Sequence, residues 1–330
     1  MKRMPSITIS IPVYNEEKNI ANCLDSIKKQ KYSGKIEVFV VDNGCIDGTI
    51  EIARKYKFVK IIKNKENDYL TAKMISLKRA SGKYYTYLDA DIDLPTSYWI
   101  KKMVEPLEND KTLIASTTGF VSYKSDPLLN KYLTLDPIQR DPLFVYLTPS
   151  VESLITEKRN GYDLMIFNKN NILSMGLCVF RTKQILSIDE ISKRKRFYEL
   201  DNLVILLNKG FDKYAYVKSA GLHHLTVPDI KTMIDKRVRN LKKTFFVKNE
   251  KRYWTWIDTS DKKSIFKLAL WVLYSETIIG PLFYGIFRSI KHRTILGLYE
   301  PIVVWITTNV IMYVFLTSQG GRKFLANFIK

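Results

Sequence analysis

Cysteine is scarce in this chain of 330 residues: Cys23, Cys45 and Cys178 are odd in number, far apart and free of CxxC spacing. That excludes a disulfide scaffold and a zinc module, and it fits a reducing compartment. Histidine is equally rare, and two of the three stand side by side as His223 and His224. Acidic residues are outnumbered, 33 against 53 Lys and Arg, which leaves a formal charge of +20. Such an excess points to an anionic partner: nucleic acid, a phosphate-bearing substrate or an anionic membrane face. The opening stretch MKRMPSITISIPVYNEE lacks the continuous apolar segment of a secretory signal, because proline and polar residues interrupt it; the first domain is expected in the cytoplasm. With 46% hydrophobic residues, disorder throughout is excluded, and the length suits one large domain with an appendage.

What is present is, first, a rhythm. Short β-branched or aromatic runs at 7–12, 36–42, 59–63, 84–89 and 113–121 read as strands. Between them lie helical stretches; EEKNIANCLDSIKKQ sets Ile20, Leu24 and Ile27 on one face, and TIEIARKY, YLTAKMISLKRA and TSYWIKKMVEPL have similar spacing. This alternation predicts an α/β fold with a mostly parallel sheet flanked by helices, and ligands then bind beyond the carboxyl ends of the strands. Residues 123–175 contain Pro127, Pro137, Pro142 and Pro149 and predict short helices and loops packed against the sheet. A strand is expected again within 170–183, then a helix, a stop at Gly210 and another strand over 196–224.

The character changes at residue 227. Over 227–263 eleven Lys or Arg stand against five acids, with the run KRVRNLKKTFFVKNEKR at its centre. Its cations, interleaved with Phe245 and Phe246, suit either a nucleic-acid arm or a membrane-surface helix, and its place before two apolar stretches favours the membrane. Those stretches, 265–287 and 295–316, each have about the 20 residues that span a bilayer. Each also carries charge: Lys267 and Glu276 in the first, Glu300 in the second, where a charge at the centre of a span costs about 2.5 to 3.5 kcal/mol. The link FRSIKHRT is basic and resists export, so a re-entrant or interfacial first helix followed by one span is an alternative to two spans; buried core helices are another. The expected organisation is a catalytic domain over 1–226, an interfacial segment over 227–263 and membrane-associated helices over 264–330.

Chemistry concentrates at YYTYLDADIDLP, where Asp89, Asp91 and Asp93 alternate at a strand end. Carboxylates at i and i+2 can converge on a hard cation such as Mg²⁺ or Mn²⁺; the bland reading is a solvated loop before a helix. Three motifs, IPVYNEE, VVDNGCIDGT and LDADIDLP, follow one another in the order and spacing of family 2 glycosyltransferases of the GT-A fold, and the first third of the chain resembles that family. The resemblance implies a nucleotide-sugar donor pocket lined by Pro12, Tyr14, Asn15 and Glu16, with Asp42 accepting from the base, and it implies that Asp89 and Asp91 carry Mg²⁺ or Mn²⁺ on the diphosphate. A carboxylate suits the base N–H and an aromatic ring such as Tyr14 suits the base face. Where many relatives have a glycine-rich basic turn, this chain has KENDYLTAKMISLKRASG, so Lys73 or Lys65 is the candidate for the phosphates.

The Glu-Asp pair that opens a later helix in relatives corresponds here to Glu199 and Asp201, split by Leu200; the resemblance implies a general base there, with Asp201 preferred and Glu199 next. Helix capping is the structural alternative. His223 and His224 point opposite ways if they lie on a strand, and His224 or His223 is a candidate metal or phosphate ligand. The whole reads as a metal-dependent glycosyltransferase acting on a lipid-phosphate, lipid-linked saccharide or surface glycan at the membrane, with its catalytic domain cytoplasmic and nucleic acid an unlikely partner. A nucleotidyltransferase, which usually has a glycine-rich turn after the first strand, is one alternative. A non-catalytic membrane-bound glycan- or nucleic-acid-binding protein is another.

Overall fold

The computed structural model describes residues 3–173, 177–242, 252–255 and 261–329, with no side chains described for 327–329. The chain divides into two compact units: the chain up to Val121 with Ser150–His224, and Ser122–Pro149 with the chain from Leu225 on.

Among the described residues the first unit holds twelve strands: β1 Ile7–Val13, β2 Ile36–Asp42, β3 Val59–Lys63, β4 Tyr84–Tyr87, β5 Ile92–Asp93, β6 Ala115–Thr117, β7 Phe120–Val121, β8 Ile155–Arg159, β9 Tyr162–Ile166, β10 Cys178–Arg181, β11 Lys213–Tyr216 and β12 Leu222–His224. Nine form one sheet in the order β3-β2-β1-β4-β10-β6-β11-β9-β8, and β5-β12-β7 form a second. The half β3-β2-β1-β4 is parallel throughout, as the strand-helix rhythm requires, because each return passes through a helix. Strand β10 then enters antiparallel between β4 and β6. All seven residues of β1 are buried, so both faces of the sheet are covered. Ile20, Leu24 and Ile27 of helix Ile20–Lys28 are buried in the main core, as their spacing predicts.

Some expectations change in detail. The fourth strand stops at Tyr87, so Asp89 lies in the loop beyond it. The run 113–121 is two strands in different sheets, β6 and β7. The antiparallel pair β8-β9 falls within the tract expected to hold short helices and loops. A two-residue interruption at 118–119 and a Gly161 turn with φ +86° are short-range events that alternation alone does not mark.

Glu37 on β2 knits this half of the sheet together. Its buried carboxylate accepts from Thr8 Oγ1 at 2.8 Å, from Ser81 N at 3.0 Å and from Lys60 Nζ at 3.1 Å. Burial pushes its pKa up, but hydrogen bonds from the Ser81 backbone, Thr8, Lys60 and the Ser81 hydroxyl outweigh this and hold it below its ordinary 4.5. As pH falls the unfolded chain therefore takes up this proton first. The stability contributed by Glu37 is complete above about 4.5 and is lost as pH drops through the lower folded value. Glu37→Gln is expected to remove about 1 to 3 kcal/mol at pH 7 and to flatten the acid limb, read by thermal unfolding from pH 7 to pH 3. An unchanged acid limb would show that Glu37 contributes nothing to it.

The second unit is helical. Its main helices are Leu128–Leu133, Pro142–Leu147, Ile230–Asn240, Lys262–Glu276, Ile279–His292, Glu300–Thr317 and Gln319–Ile329. The charges that interrupt the apolar stretches all have partners inside it. Lys267 Nζ donates to Leu147 O at 3.1 Å and Glu276 accepts from Asn309 Nδ2 at 2.9 Å. Glu300, 2% exposed, accepts from Tyr132 Oη at 2.8 Å and from Arg288 at 2.5 Å, and Arg288 also donates to Asp136 at 2.5 Å. The proline-rich tract thus supplies the counter-groups of the C-terminal helices. Among the described residues one helical stretch, Ile295–Thr317, is long and apolar enough to cross a membrane by length and composition, and helices Lys262–Glu276 and Ile279–His292 form a pair bent by 85°. Of the basic run, residues 243–251 lie outside the described residues, as does Trp256.

Candidate active site

Strand order brings three loops to one edge. Val13, the last residue of β1, pairs with Asp42, the last of β2, while Ser10 pairs with Tyr87 at the end of β4. The loops that follow these strands emerge on the carboxyl side of the parallel half, where the alternation places a ligand.

The first two loops interlock. Pro12 is buried, whereas Tyr14 is exposed. Asn15 has φ 56°, a left-handed conformation that asparagine tolerates, and its Oδ1 accepts from Ile46 N at 2.9 Å. Glu16 N donates to Thr49 Oγ1 at 2.7 Å, and the Glu16 carboxylate accepts from Asn19 Nδ2 at 2.8 Å. Asp42 Oδ1 accepts from Gly44 N at 3.0 Å and from Cys45 N at 2.8 Å. That turn needs glycine at 44, with φ +87° and a Cβ there only 2.9 Å from Asn67 Oδ1. Asp42 is thereby fixed by its Oδ1, and its carboxylate also interacts with the Cys45 thiol.

The third loop carries the carboxylates. One ligand atom each from Asp89, Asp91 and His224 lie within 4.8 Å of one another, and His224 Nε2 is 3.0 Å from Asp91 Oδ2. The histidine arrives because β12 pairs antiparallel with β5, in the register His224 opposite Ile92 and His223 opposite Asp93. As neighbours on a strand they diverge: His223 Nδ1 meets Asp93 Oδ1 and His224 meets Asp91. The approach to β12 is pinned by Trp99 Nε1, which donates to Gly221 O at 2.7 Å. Two carboxylate oxygens and an imidazole nitrogen at this spacing are a donor set that a hard divalent cation accepts. The concentration of negative charge is felt by buried Cys23, whose Sγ lies 3.9 Å from Asp89 O; burial first, then Asp91, Asp89, Asp93 and Glu16, push its thiol pKa well up.

A second cluster joins residues expected in separate roles. Lys73, buried in helix Tyr69–Arg79, places its Nζ on Glu199 Oε1, 3.7 Å from the Tyr87 ring centroid and 4.2 Å from that of Tyr69. Burial lowers the Lys73 pKa, with the Glu199 charge and hydrogen bond acting the other way. The Tyr87 hydroxyl also hydrogen-bonds Glu199, and burial, then Glu199, raise its pKa well above the ordinary range. Glu199 opens helix Glu199–Asn208, held near Lys73 by Phe197 N donating to Leu70 O at 3.0 Å and Arg196 Nε donating to Asp68 at 3.0 Å. Asp201 on the same first turn is fully buried, with Arg194 Nη2 at 2.9 Å from its Oδ2, whereas the Glu199 side chain is 29% exposed. Lys65 is exposed in the loop after β3. Tyr87 had no separate signal in the sequence, being one more aromatic in an apolar strand.

Residues 8–169 match the family described as Glycosyl transferase family 2. Among curated proteins, the chain is 34% identical over 110 residues to glycosyltransferase AglE of Haloferax volcanii, covering 32% of this chain and 36% of that protein. It is 30% identical over 139 residues to an N-acetylglucosaminyltransferase of Rhizobium sp., covering 40% and 31%. The matched stretch is thus about a third of the length of either relative. Among solved structures, the mannosyltransferase PcManGT from Pyrobaculum calidifontis, in complex with GDP-Man and Mn²⁺, aligns over 99% of this chain and 80% of its own at 18% identity and a TM-score of 0.49.

Proposed function

Since residues 8–169 belong to glycosyl transferase family 2, we propose that the protein moves a sugar from a nucleotide-sugar donor to a membrane-linked acceptor in a metal-dependent reaction. The observation that carries this reading is the convergence of Asp89, Asp91 and His224 at the strand edge that also holds Asp42 and the Tyr14–Glu16 loop. Asp89, Asp91 and His224 would hold Mg²⁺ or Mn²⁺. When bound, such an ion stabilises the charge of the departing nucleoside diphosphate. Asp42, fixed by its turn, accepts from the base, Tyr14 covers the base face, and Pro12, Asn15 and Glu16 shape the pocket wall. Glu199 takes the acceptor proton, and its partial exposure favours it over buried Asp201. Lys73 orients the Glu199 carboxylate rather than reaching the phosphates. The apolar C-terminal helices support a lipid-phosphate, lipid-linked saccharide or surface-glycan acceptor, with the catalytic unit on the cytoplasmic side. A phosphate acceptor is itself a nucleophile and lessens the demand on Glu199.

The test is transfer of radiolabelled sugar from UDP- and GDP-hexoses, with Mn²⁺, into the organic-extractable fraction of a membrane lipid extract. Metal-dependent incorporation is expected from one donor class. Hydrolysis or transfer to water-soluble acceptors alone would overturn the lipid-linked acceptor, and absence of any metal-dependent turnover or nucleotide binding would overturn the enzyme.

A further inference from the structure

Helix Ile279–His292 is inside out. It buries Pro281, Gly285 and Arg288 and exposes Ile279, Leu282, Phe283, Ile286, Phe287 and Ile290. A helix in water shows the reverse order, with the arginine outside. Its buried seam is explained within the unit: Arg288 meets Glu300 and Asp136, and Gly285 lies so close to the Gly297 carbonyl that a Cβ at 285 would stand 2.5 Å from that oxygen. What covers the opposite, apolar face is the question.

We propose that this face, with the neighbouring helices, docks on the anionic leaflet of a bilayer and that the second unit is a monotopic anchor in which no helix crosses. The proposal deepens the membrane part of the reading above and is independent of the sugar chemistry. Three observations carry it. First, helices Lys262–Glu276 and Ile279–His292 meet at 85°, and at 15 and 14 residues each is about 21 to 23 Å long, short of the roughly 30 Å of hydrocarbon. Their corner is Ile278, exposed and at φ 57°, a backbone that a β-branched residue rarely adopts. The corner therefore presents Ile278 and Ile279 together as an apolar tip.

Second, the stretch Ile295–Thr317, though long enough, is committed along one side. Its Val303 shares a buried cluster with Met233 of helix Ile230–Asn240, which also carries Lys231, Asp235, Lys236, Arg237 and Arg239. Pushing Glu300–Thr317 through the bilayer would carry that charged helix into hydrocarbon. The most exposed large side chains of Glu300–Thr317, Ile302, Trp305, Tyr313 and Leu316, include aromatics that suit the headgroup boundary. Third, the apolar faces are bordered by exposed cations, Lys262, Lys263, Lys291, Arg293, Arg322 and Lys323, which complement anionic headgroups.

The experiment uses the full chain added to preformed vesicles of phosphatidylcholine and phosphatidylglycerol at about 7:3, with Cys45→Ser as background and single Lys263→Cys or Lys323→Cys substitutions. An impermeant maleimide is expected to label both sites from outside, and also Arg293→Cys in the link between the apolar stretches, which two crossings would protect. Labelling of Lys263→Cys with protection of Lys323→Cys would mean a crossing helix and would overturn the monotopic arrangement while leaving membrane binding intact. Phe283→Glu with Phe287→Glu is expected to lower the floating fraction about tenfold or more, with an unchanged circular dichroism spectrum. Failure of the parent chain to float at any phosphatidylglycerol content, with a dimer in solution, would show that a second copy covers the face and would overturn both the anchor and the membrane reading, without touching donor binding.

Discussion

Asp91→Asn is expected to weaken Mn²⁺-dependent binding of the favoured nucleoside diphosphate by about 100-fold or more, measured by calorimetry with UDP and GDP in the presence and absence of the metal. The substitution keeps the size of the side chain and its contact with His224, so the circular dichroism spectrum should not change. It removes one of the two carboxylates that give a cation its hard oxygen ligands. Without metal, parent and variant should bind nucleotide equally weakly, since what remains is the base pocket proposed around Asp42. Asp42→Asn should instead lower affinity about tenfold or more in both conditions, because one hydrogen bond to a charged group is worth roughly 1.5 to 3 kcal/mol. If the Asp91 variant bound Mn²⁺ and nucleotide as well as the parent, the three-residue cluster would be a loop-stabilising arrangement and the donor site would have to be sought elsewhere.

How much of this could be read beforehand depends on the distance along the chain between the groups involved. The motifs at 12–16, 42–45 and 89–93 are each local, and the parallel rhythm of their strands brings them together, so their common edge was legible. His224 was legible as a strand-end histidine, although its meeting with Asp91 depends on the small sheet β5-β12-β7, whose two-residue strands leave almost no periodic trace. The pairing of Lys73 with Glu199 joins positions 126 residues apart, and nothing in either neighbourhood announces the other. The C-terminal charges show the same limit. Glu300 looks like a flaw in an apolar run only while Arg288, Asp136 and Tyr132 are unknown as its partners, and two of those lie in a tract that its prolines make unreadable by periodicity.

Glu199 and Asp201 stand two residues apart on one helical turn, and substituting each with its amide should separate chemistry from architecture. Glu199→Gln is expected to lower kcat about 10² to 10⁴-fold for a hydroxyl acceptor, with donor affinity within about twofold of the parent, because the amide keeps the Lys73 contact but cannot take a proton. Asp201→Asn leaves Arg194 buried opposite a neutral group; such a loss typically destabilises by about 3 to 5 kcal/mol, visible as a lowered Tm before any assay. Lys73→Met provides the third reading. If Lys73 only orients Glu199, its loss should lower kcat while donor KM stays put. A rise in donor KM with an unchanged kcat would return Lys73 to the phosphates. And if Asp201→Asn retained its Tm yet lost turnover while Glu199→Gln stayed active, the base would be Asp201, reached by a movement of Arg194 that opens its buried carboxylate to the acceptor.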